Sequence, residues 1–151
     1  MKIVLTAPHA HGYLNDVIAS YITEELRDLL SNYGFDVETF INALPRSSMD
    51  MNRPPARNTG YRTIVREALK KKPDFLLDIH GFPANTDGPL RGHDIVVLVS
   101  YPGEQEMMAG KYYDVLRRVV KTKLRVGYQP ATAANDVVKE AMELGLSLRH
   151  H

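Results

Sequence analysis

The sequence predicts an α/β domain, a three-layer αβα sandwich around a mixed, mainly parallel sheet. Short apolar runs of strand length alternate along the chain with longer segments in which apolar residues recur at every third or fourth position. This alternation is typical of βα units, in which crossover helices cover the faces of a largely parallel sheet. A chain of 151 residues has the size of one domain, and we therefore expect residues 1–151 to form a single one.

The amino-terminal strand and helix are the clearest predicted elements. Residues 2–7 are a β-rich apolar run, which predicts a buried strand. Residues 14–33 carry apolar side chains at helical spacing. Asn15 or Asp16 is suited to cap the start of this helix, and Gly34 is suited to end it.

The next segment contains a strand, a long loop, a helix and a second buried strand. Residues 35–41 alternate between apolar and polar side chains, as in a half-exposed strand. Residues 42–58 are rich in Pro, Ser, Asn and Arg and predict a loop of a length that commonly carries function. A helical stripe over residues 61–69 and an apolar strand over residues 75–79 follow.

The second half of the chain predicts five further elements. They are a buried strand over residues 94–99, a helix over 107–120, a short edge strand over 124–128, a helix over 135–145 and a final strand over 146–148. Asn135 is suited to open the last helix, and Gly145 is suited to end it.

Composition excludes several classes of protein and of site. Hydrophobic residues make up 44% of the chain, charged residues 25%, and the net charge is +1, so neither disorder nor nucleic-acid binding is indicated. The absence of cysteine excludes disulfides, thiolate catalysis and cysteine–zinc sites. No apolar run is long enough for a signal peptide or a membrane span, so we expect a soluble, cytoplasmic protein without a membrane partner. The sequence leaves the oligomeric state open.

Polar residues gather where two predicted strands end. His9 and His11 follow the first strand, and Asp78 and His80 stand two residues apart at the end of the strand over 75–79. In open parallel sheets, sites lie beyond the carboxyl ends of the strands. We therefore expect a site there, although a core histidine bound to a neighbouring carboxylate is an alternative interpretation of Asp78 and His80.

His, Asp and Glu are the metal ligands that this chain offers. A divalent metal such as zinc takes three protein ligands at a catalytic site and leaves one position for water. His9, Asp16 and His80 can supply that set, with His11 as the alternative to Asp16. The alternative for Asp16 is that it binds no metal and only stabilises the helix, because the helix dipole favours a negative charge near the helix start.

The long loop contributes a second group of polar residues. Arg46 and Arg53 flank Asp50 and Asn52. A guanidinium beside an amide offers several fixed donors, which suits a substrate carboxylate or an oxyanion. The alternative is a surface arginine paired with Asp50, and for Arg46 alone the sequence favours that alternative.

Together these motifs resemble the N-formylglutamate amidohydrolase family. More distantly they are similar to the zinc carboxypeptidases and to the aspartoacylase and succinylglutamate desuccinylase group. The motifs are Pro8-His9, Asp16, Arg46 with Asp50-Met-Asn-Arg53, and Leu77-Asp-Ile-His-Gly81. Their order matches as well as their residue types, and they cover residues 7–81.

The resemblance implies a zinc-dependent amidohydrolase with a phosphorylase/hydrolase-like sandwich. Its substrate would be a small N-acyl amino acid, such as N-formylglutamate, or a peptide end that bears a carboxylate. In this interpretation zinc activates a water for attack on the amide. The implied zinc ligands are His9, Asp16 and His80. The implied substrate contacts are Asn52 and Arg53 on the carboxylate and Arg46 on the scissile carbonyl.

The chain departs from the family pattern at two points. The carboxypeptidases use a His-x-x-Glu pair, whereas Gly12 stands at that spacing after His9, so the acidic ligand is Asp16 or absent. The family's general-base glutamate lies on a late strand, but no carboxylate follows Glu143 here. Glu143 is therefore the candidate catalytic residue, with Glu140 and His150 as alternatives. If none of them acts, the chain is a weakened relative that binds metal and carboxylates without turnover; an α/β domain without any metal is the remaining alternative.

Overall fold

The computed structural model describes residues 1–12, 14–81, 95–99, 126–130 and 135–145, with the backbone alone for 14–16, 95–99 and 126–130. The chain divides into two compact units. The first unit comprises Met1–Phe82 and Asn135–His151, and the second comprises Pro83–Ala134. No helix among the described residues is long and apolar enough to cross a bilayer.

The first unit contains three strands, three α-helices and one short 3-10 helix among its described residues. In chain order these elements are β1 (Lys2–Ala7), α1 (Leu14–Asn32), β2 (Asp36–Ile41), the 3-10 helix (Pro54–Asn58), α2 (Gly60–Lys70), β3 (Phe75–Asp78) and α3 (Asp136–Glu143). This order confirms the predicted strands over 2–7 and 75–79. It also confirms the predicted helices over 14–33, 61–69 and 135–145.

The strands of the first unit form a parallel sheet in the order β2-β1-β3. Leu5 of β1 is opposite Thr39 of β2 and Leu77 of β3. This sheet with its helices confirms the α/β class. Because all three strands run in one direction, their carboxyl ends lie at the same end of the sheet. The carboxyl end of β1 lies between those of β2 and β3.

One cluster of the core lies on the face of this sheet to which Val4 belongs. Val4 of the central strand is fully buried and packs in one cluster with α2 and α3. The members from the two helices are Val65, Ala68, Leu69, Val137 and Ala141. α1 packs on β1 and β2. The helix α3 therefore belongs to the same core as the amino-terminal strands, although it comes last in the described chain.

The helix ends follow the local sequence. Gly34 adopts φ +83, and the backbone N–H groups of Gly34 and Phe35 bond back to Ser31 and Leu30 at 2.9 and 3.1 Å. This left-handed turn closes α1, as predicted. At the start of α3, Asn135 accepts a hydrogen bond from the backbone of Val138 at 3.0 Å, which is the predicted cap.

The segment 42–58 is more ordered than the predicted loop. Its last part forms the 3-10 helix, which begins with two prolines, Pro54 and Pro55. Proline fixes φ near the helical value and lacks an N–H, so it suits the first turn of a helix, where the N–H groups have no partner within the helix. The loop is thereby shortened at the end that leads into α2.

The second unit contains a parallel pair of strands. β4 (Ile95–Val99) pairs with β5 (Val126–Pro130), with Val97 opposite Tyr128. The predicted strand over 94–99 is confirmed, and the predicted edge strand lies two residues further along the chain than expected. The predicted helix over 107–120 and the predicted strand over 146–148 lie outside the described residues.

Candidate functional site

The register of β1 and β3 brings the two polar strand ends together. Thr6 of β1 lies opposite Asp78 of β3, and its hydroxyl donates to Asp78 Oδ1 at 2.5 Å. One residue further on, the backbone N–H of Ile79 donates to the carbonyl of Thr6 at 2.8 Å. The chain continues from these positions into His9 on one side and His80 on the other.

His9 and His80 form a close pair beyond the carboxyl ends of β1 and β3. Their Nδ1 atoms are 3.2 Å apart, and their ring centroids are 5.1 Å apart with the rings inclined by 66°. His9 is 4% exposed, whereas 26% of the His80 side chain is exposed. One flank of the pair is therefore covered by protein and the other is open to a ligand.

A carboxylate lies behind each ring. Asp50 Oδ1 is 2.6 Å from Nε2 of His9, and Asp78 Oδ2 is 2.7 Å from Nε2 of His80. An ionised carboxylate only accepts hydrogen bonds, so Nε2 carries the hydrogen in both rings. When both rings are neutral, the two Nδ1 atoms consequently face each other with lone pairs.

Two Nδ1 lone pairs that face each other at 3.2 Å repel, so this arrangement needs a cation between or beside them. A proton shared by the rings would satisfy them, and so would a metal ion. Tetrahedral zinc with Zn–N bonds of 2.0–2.1 Å holds two ligand nitrogens about 3.3 Å apart. A carboxylate behind each ligand imidazole is the usual arrangement in zinc proteins, because it fixes the tautomer and raises the basicity of the ligand nitrogen. The pair fits a zinc ion on both counts.

A third ligand is not supplied by the described side chains. Among them, no group of three or more His, Cys, Asp or Glu residues is arranged to hold a metal ion. Asp16, the predicted third ligand, lies in the first turn of α1, and its side chain is outside the described residues. His11, the alternative ligand, is exposed.

The two rings differ in their affinity for a proton. Burial lowers the pKa of His9, and the hydrogen bond with Asp50 offsets this only in part. Burial acts in the same direction on His80, but the charge and hydrogen bond of Asp78 outweigh it and raise the pKa of His80. In the absence of metal, a proton taken up by the pair therefore resides on His80.

Both supporting carboxylates stay ionised at neutral pH. Burial alone would raise the pKa of Asp50, yet the hydrogen bonds from His9 and from a backbone N–H lower it below its ordinary value. Burial likewise works against ionised Asp78, but the charge of His80 and the hydrogen bonds from His80 and Thr6 lower its pKa. Each carboxylate is thus available as an acceptor behind its histidine.

Arg46 and Arg53 lie around Asp50 on the open side. Arg46 donates from Nε and Nη2 to Asp50 Oδ2 at 3.3 and 3.2 Å, and Arg53 Nε is 3.7 Å from the same oxygen. The two arginine side chains are 45% and 43% exposed. Two guanidinium groups thus lie close to one carboxylate oxygen beside the histidine pair.

Asn52 is oriented by α3. Its Oδ1 accepts a hydrogen bond from the backbone N–H of Val137 at 3.2 Å, which turns the amide nitrogen toward His80, 3.5 Å from Nε2. The Nε2 hydrogen of His80 is already donated to Asp78, so Asn52 Nδ2 and His80 Nε2 are both donors and form no hydrogen bond with each other. The amide N–H groups of Asn52 are therefore turned to the histidine side of the site.

A cluster of ionic groups, which we call the ion cluster, connects α3 to α2 and the 3-10 helix. Its members are Arg57, Arg62, Arg66, Asp136, Glu140 and Glu143. Arg62 is fully buried at its centre, where it donates to the backbone carbonyl of Met51 at 3.0 Å, to Asp136 Oδ2 at 3.1 Å and to Glu140. This arginine ties the loop before Asn52 to the start of α3.

Glu143, the predicted catalytic residue, lies at the far end of α3. Its carboxylate pairs with Arg57 at 3.0 Å and approaches Lys139 at 4.0 Å. A helix rises about 1.5 Å per residue, so Glu143 is roughly 12 Å along α3 from the end that meets Asp78. This position gives no support to the predicted role as general base.

Two supporting residues escaped the sequence analysis. Asp50 was weighed only as a partner for arginine, although it also accepts from His9 across 41 residues. Asn135 was expected only to cap a helix, but its Nδ2 also donates to Asp78 Oδ2. The polar motif Asp50-Met-Asn-Arg53 marked Asp50 as a candidate site residue, but His9 is 41 residues away and the motif does not name it as the partner. Asn135 is 57 residues from Asp78, and nothing in the local sequence connects them.

Comparison of the chain with protein-family models, with curated proteins and with solved structures finds no match. The resemblance to amidohydrolases therefore rests on the motif residues alone.

Proposed function

We propose that this chain is a metal-dependent amidohydrolase of the N-formylglutamate amidohydrolase-like class. In this proposal the domain has the complete three-layer αβα sandwich that the sequence predicts. The observation that carries the proposal is the histidine pair, with Nδ1 atoms 3.2 Å apart and a carboxylate behind each ring. A metal ion at this pair would use both carboxylates, because each holds one imidazole in the tautomer that presents Nδ1.

His9 and His80 would hold zinc through Nδ1, with Asp16 as the third ligand. The position of Asp16 in the first turn of α1, shortly after His9 in the chain, supports this choice over the exposed His11. A divalent metal bound there would supply Lewis acidity, which polarises an amide carbonyl and makes water a stronger acid. Asp50 and Asp78 would keep both imidazoles in the tautomer that binds metal.

The substrate would be a small N-acyl amino acid, or a peptide end, with a free carboxylate. Asn52 and Arg53 would hold that carboxylate, because the oriented amide and the partly exposed guanidinium both present N–H donors on the open side of the pair. Arg46 would donate to the oxygen of the scissile carbonyl. The two guanidinium groups beside Asp50 favour an anionic ligand.

The proposal is tested by zinc content and amide hydrolysis together. Protein purified without a metal-affinity step should contain one zinc per chain by elemental analysis, and should release free amino acid from N-formylglutamate. His80→Ala should lose both properties, because it removes a ligand. His11→Ala is the matched control and should keep both. Unchanged zinc uptake in both His9→Ala and His80→Ala would show that the ligand assignment is wrong.

A second candidate is binding of metal and carboxylates without turnover. The ion cluster favours it, since Arg57 holds Glu143 while Arg62 and Arg66 hold Glu140, two of the three residues considered as general base. In that case the zinc-loaded protein binds N-acyl amino acids in a calorimetric titration but releases no product from them. Product release that persists in the double variant Glu140→Gln/Glu143→Gln would remove both glutamates as the base.

A further inference from the structure

Asn135 makes two hydrogen bonds with its one amide group. Its Oδ1 accepts from the backbone N–H of Val138 at 3.0 Å and caps α3. Its Nδ2 donates to Oδ2 of Asp78, the oxygen that also accepts from His80. The cap needs only the oxygen, so the second hydrogen bond is an additional function of the side chain.

Asp78 depends on this donor for its orientation. Its carboxylate is 3% exposed, so water has little access to it. Thr6 occupies Oδ1, and His80 and Asn135 share Oδ2. A carboxylate oxygen has two lone pairs, and with a donor on each the plane of the group is fixed. Without Asn135, one lone pair of a buried carboxylate loses its partner, and Asp78 is held by Thr6 and His80 alone.

The orientation of Asp78 sets that of His80. Asp78 accepts the Nε2 hydrogen of His80 at 2.7 Å, and this bond is what turns Nδ1 of His80 toward Nδ1 of His9. The ion cluster supplies the rigidity behind the contact, because Arg62 bonds to both the carboxylate and the backbone carbonyl of Asp136, the residue next to Asn135.

We infer that Asn135 is a positioning residue for the histidine pair. It fixes Asp78, and through Asp78 it holds His80 in the orientation and tautomer that present Nδ1 to a ligand. The consequence for metal binding rests on the proposed function, but the effect on the tautomer of His80 does not. The helix α3 therefore takes part in a site whose other described members lie between residues 6 and 80.

The variant Asn135→Ser separates positioning from capping. Serine caps helices about as well as asparagine, but it has no group that can take the place of Nδ2 at Asp78. Zinc affinity of the full chain, measured by competition with a chromogenic chelator, should fall by about 10–100-fold, as is typical when the support of a ligand histidine is lost. Asn135→Asp also keeps the cap and places a second carboxylate against Asp78, so it should weaken zinc binding at least as much.

Lys139→Ala is the matched control on the same helix. Lys139 is exposed, and its ion pair with Glu143 spans 4.0 Å. This variant should bind zinc like the wild type. A role of Asn135 in capping alone predicts that Asn135→Ser does so too, and equal zinc affinity of wild type and Asn135→Ser overturns the inference.

A measurement without metal keeps the inference independent of the proposed function. In ¹⁵N-labelled, metal-free protein above the pKa of both rings, the nitrogen chemical shifts report which nitrogen of His80 carries the hydrogen. Wild type should show the Nε2–H form, and Asn135→Ser should show a mixture of both tautomers. If the wild type takes up no zinc, the proposed function fails while this result still decides the inference. An unchanged tautomer in Asn135→Ser would overturn it.

Discussion

Arg53 gives the most direct test of carboxylate recognition. Its side chain is 43% exposed, and its Nε lies 3.7 Å from Asp50 Oδ2. Arg53→Lys keeps the positive charge but loses the planar fork. A charge-assisted hydrogen bond is worth roughly 1.5–3 kcal/mol, so the affinity for N-acetylglutamate should fall by about one to two powers of ten. A calorimetric titration of zinc-loaded wild type and variant measures this change.

Two controls accompany the Arg53→Lys variant. The ligand analogue whose side-chain carboxylate is replaced by an amide should bind both proteins with similar affinity. Arg27→Lys makes the same substitution at an exposed arginine of α1 that pairs with Asp28, and it should leave affinity unchanged. If wild type and Arg53→Lys bind the acid equally, Arg53 does not form a carboxylate clamp.

The sequence predicted the histidine pair better than the residues that support it. Asp78 and His80 could be predicted to lie close to His9, because the carboxyl ends of parallel strands lie at the same end of the sheet. The roles of Asp50 behind His9 and Asn135 behind Asp78 depend on side-chain contacts over 41 and 57 residues. No period or spacing carries information about such contacts, because they are set by the packing of the loop and of α3 on the sheet.

At the level of single elements, Gly34 tests the end of α1. It adopts φ +83, where a side chain is strained, and no atom lies within 4 Å of the position of an added Cβ. Gly34→Ala should therefore reduce the free energy of unfolding by about 1 kcal/mol through backbone strain alone. Gly60 in α2 also has open space around it, but its φ is not in the strained range, so Gly60→Ala should be neutral or stabilising. Urea unfolding of the two variants compares them.

Arg62 tests the attachment of α3. Arg62→Met removes a fully buried cation and leaves Asp136 and Glu140 without one of their partners. Breaking a buried ion pair in this way costs about 3–5 kcal/mol, which urea unfolding monitored by circular dichroism measures. Arg27→Met removes an exposed pair and should have no measurable effect. A stability of Arg62→Met equal to that of the wild type would mean that the ion cluster does not hold α3 in place.

The sequence predicted the helix α3 but not the ion pairs that α3 forms with Arg62 of α2. Asn135 and Gly145 predicted where the helix begins and ends, because caps are local. Arg62 sits at a buried position of α2, and its partners follow it in the chain by 74 and 78 residues. A buried arginine in an amphipathic helix shows that a carboxylate must come from elsewhere, and the sequence contains 18 acidic residues that could supply it.

For the whole molecule, the carboxylates predict how stability depends on pH. Burial would raise the pKa of Asp136, but the hydrogen bonds from Arg57 and Arg62 lower it below the ordinary value of 3.8. Asp50 and Asp78 are lowered in the same direction. A carboxyl group whose pKa is lower in the folded state stabilises the fold above its unfolded pKa, and this stability is lost as the pH falls through the folded pKa. Stability should therefore be complete above about pH 5 and decline below about pH 4.

Thermal unfolding of metal-free protein between pH 7 and pH 3 measures this decline. Asp136→Asn should be less stable than wild type at pH 7 and should lose less stability on acidification, because it has one titrating group fewer. His9, whose pKa is lowered, should add stability as the pH rises toward its ordinary value of 6.5, and His80, whose pKa is raised, should lose its contribution as the pH rises beyond that value. A decline of the same size in wild type and Asp136→Asn would exclude Asp136 as a source of the acid sensitivity.

The late position of α3 in the chain has a consequence for biosynthesis. A nascent chain that has left the ribosome as far as Gly81 already contains both histidines and Asp50, but neither Asn135 nor the helix that completes the core around Val4. Contacts over so many residues form slowly, because a long segment must be closed first. The unfinished chain therefore exposes the part of this core that α3 covers until residue 145 has emerged, and a chaperone that binds apolar surfaces would be needed most during that interval.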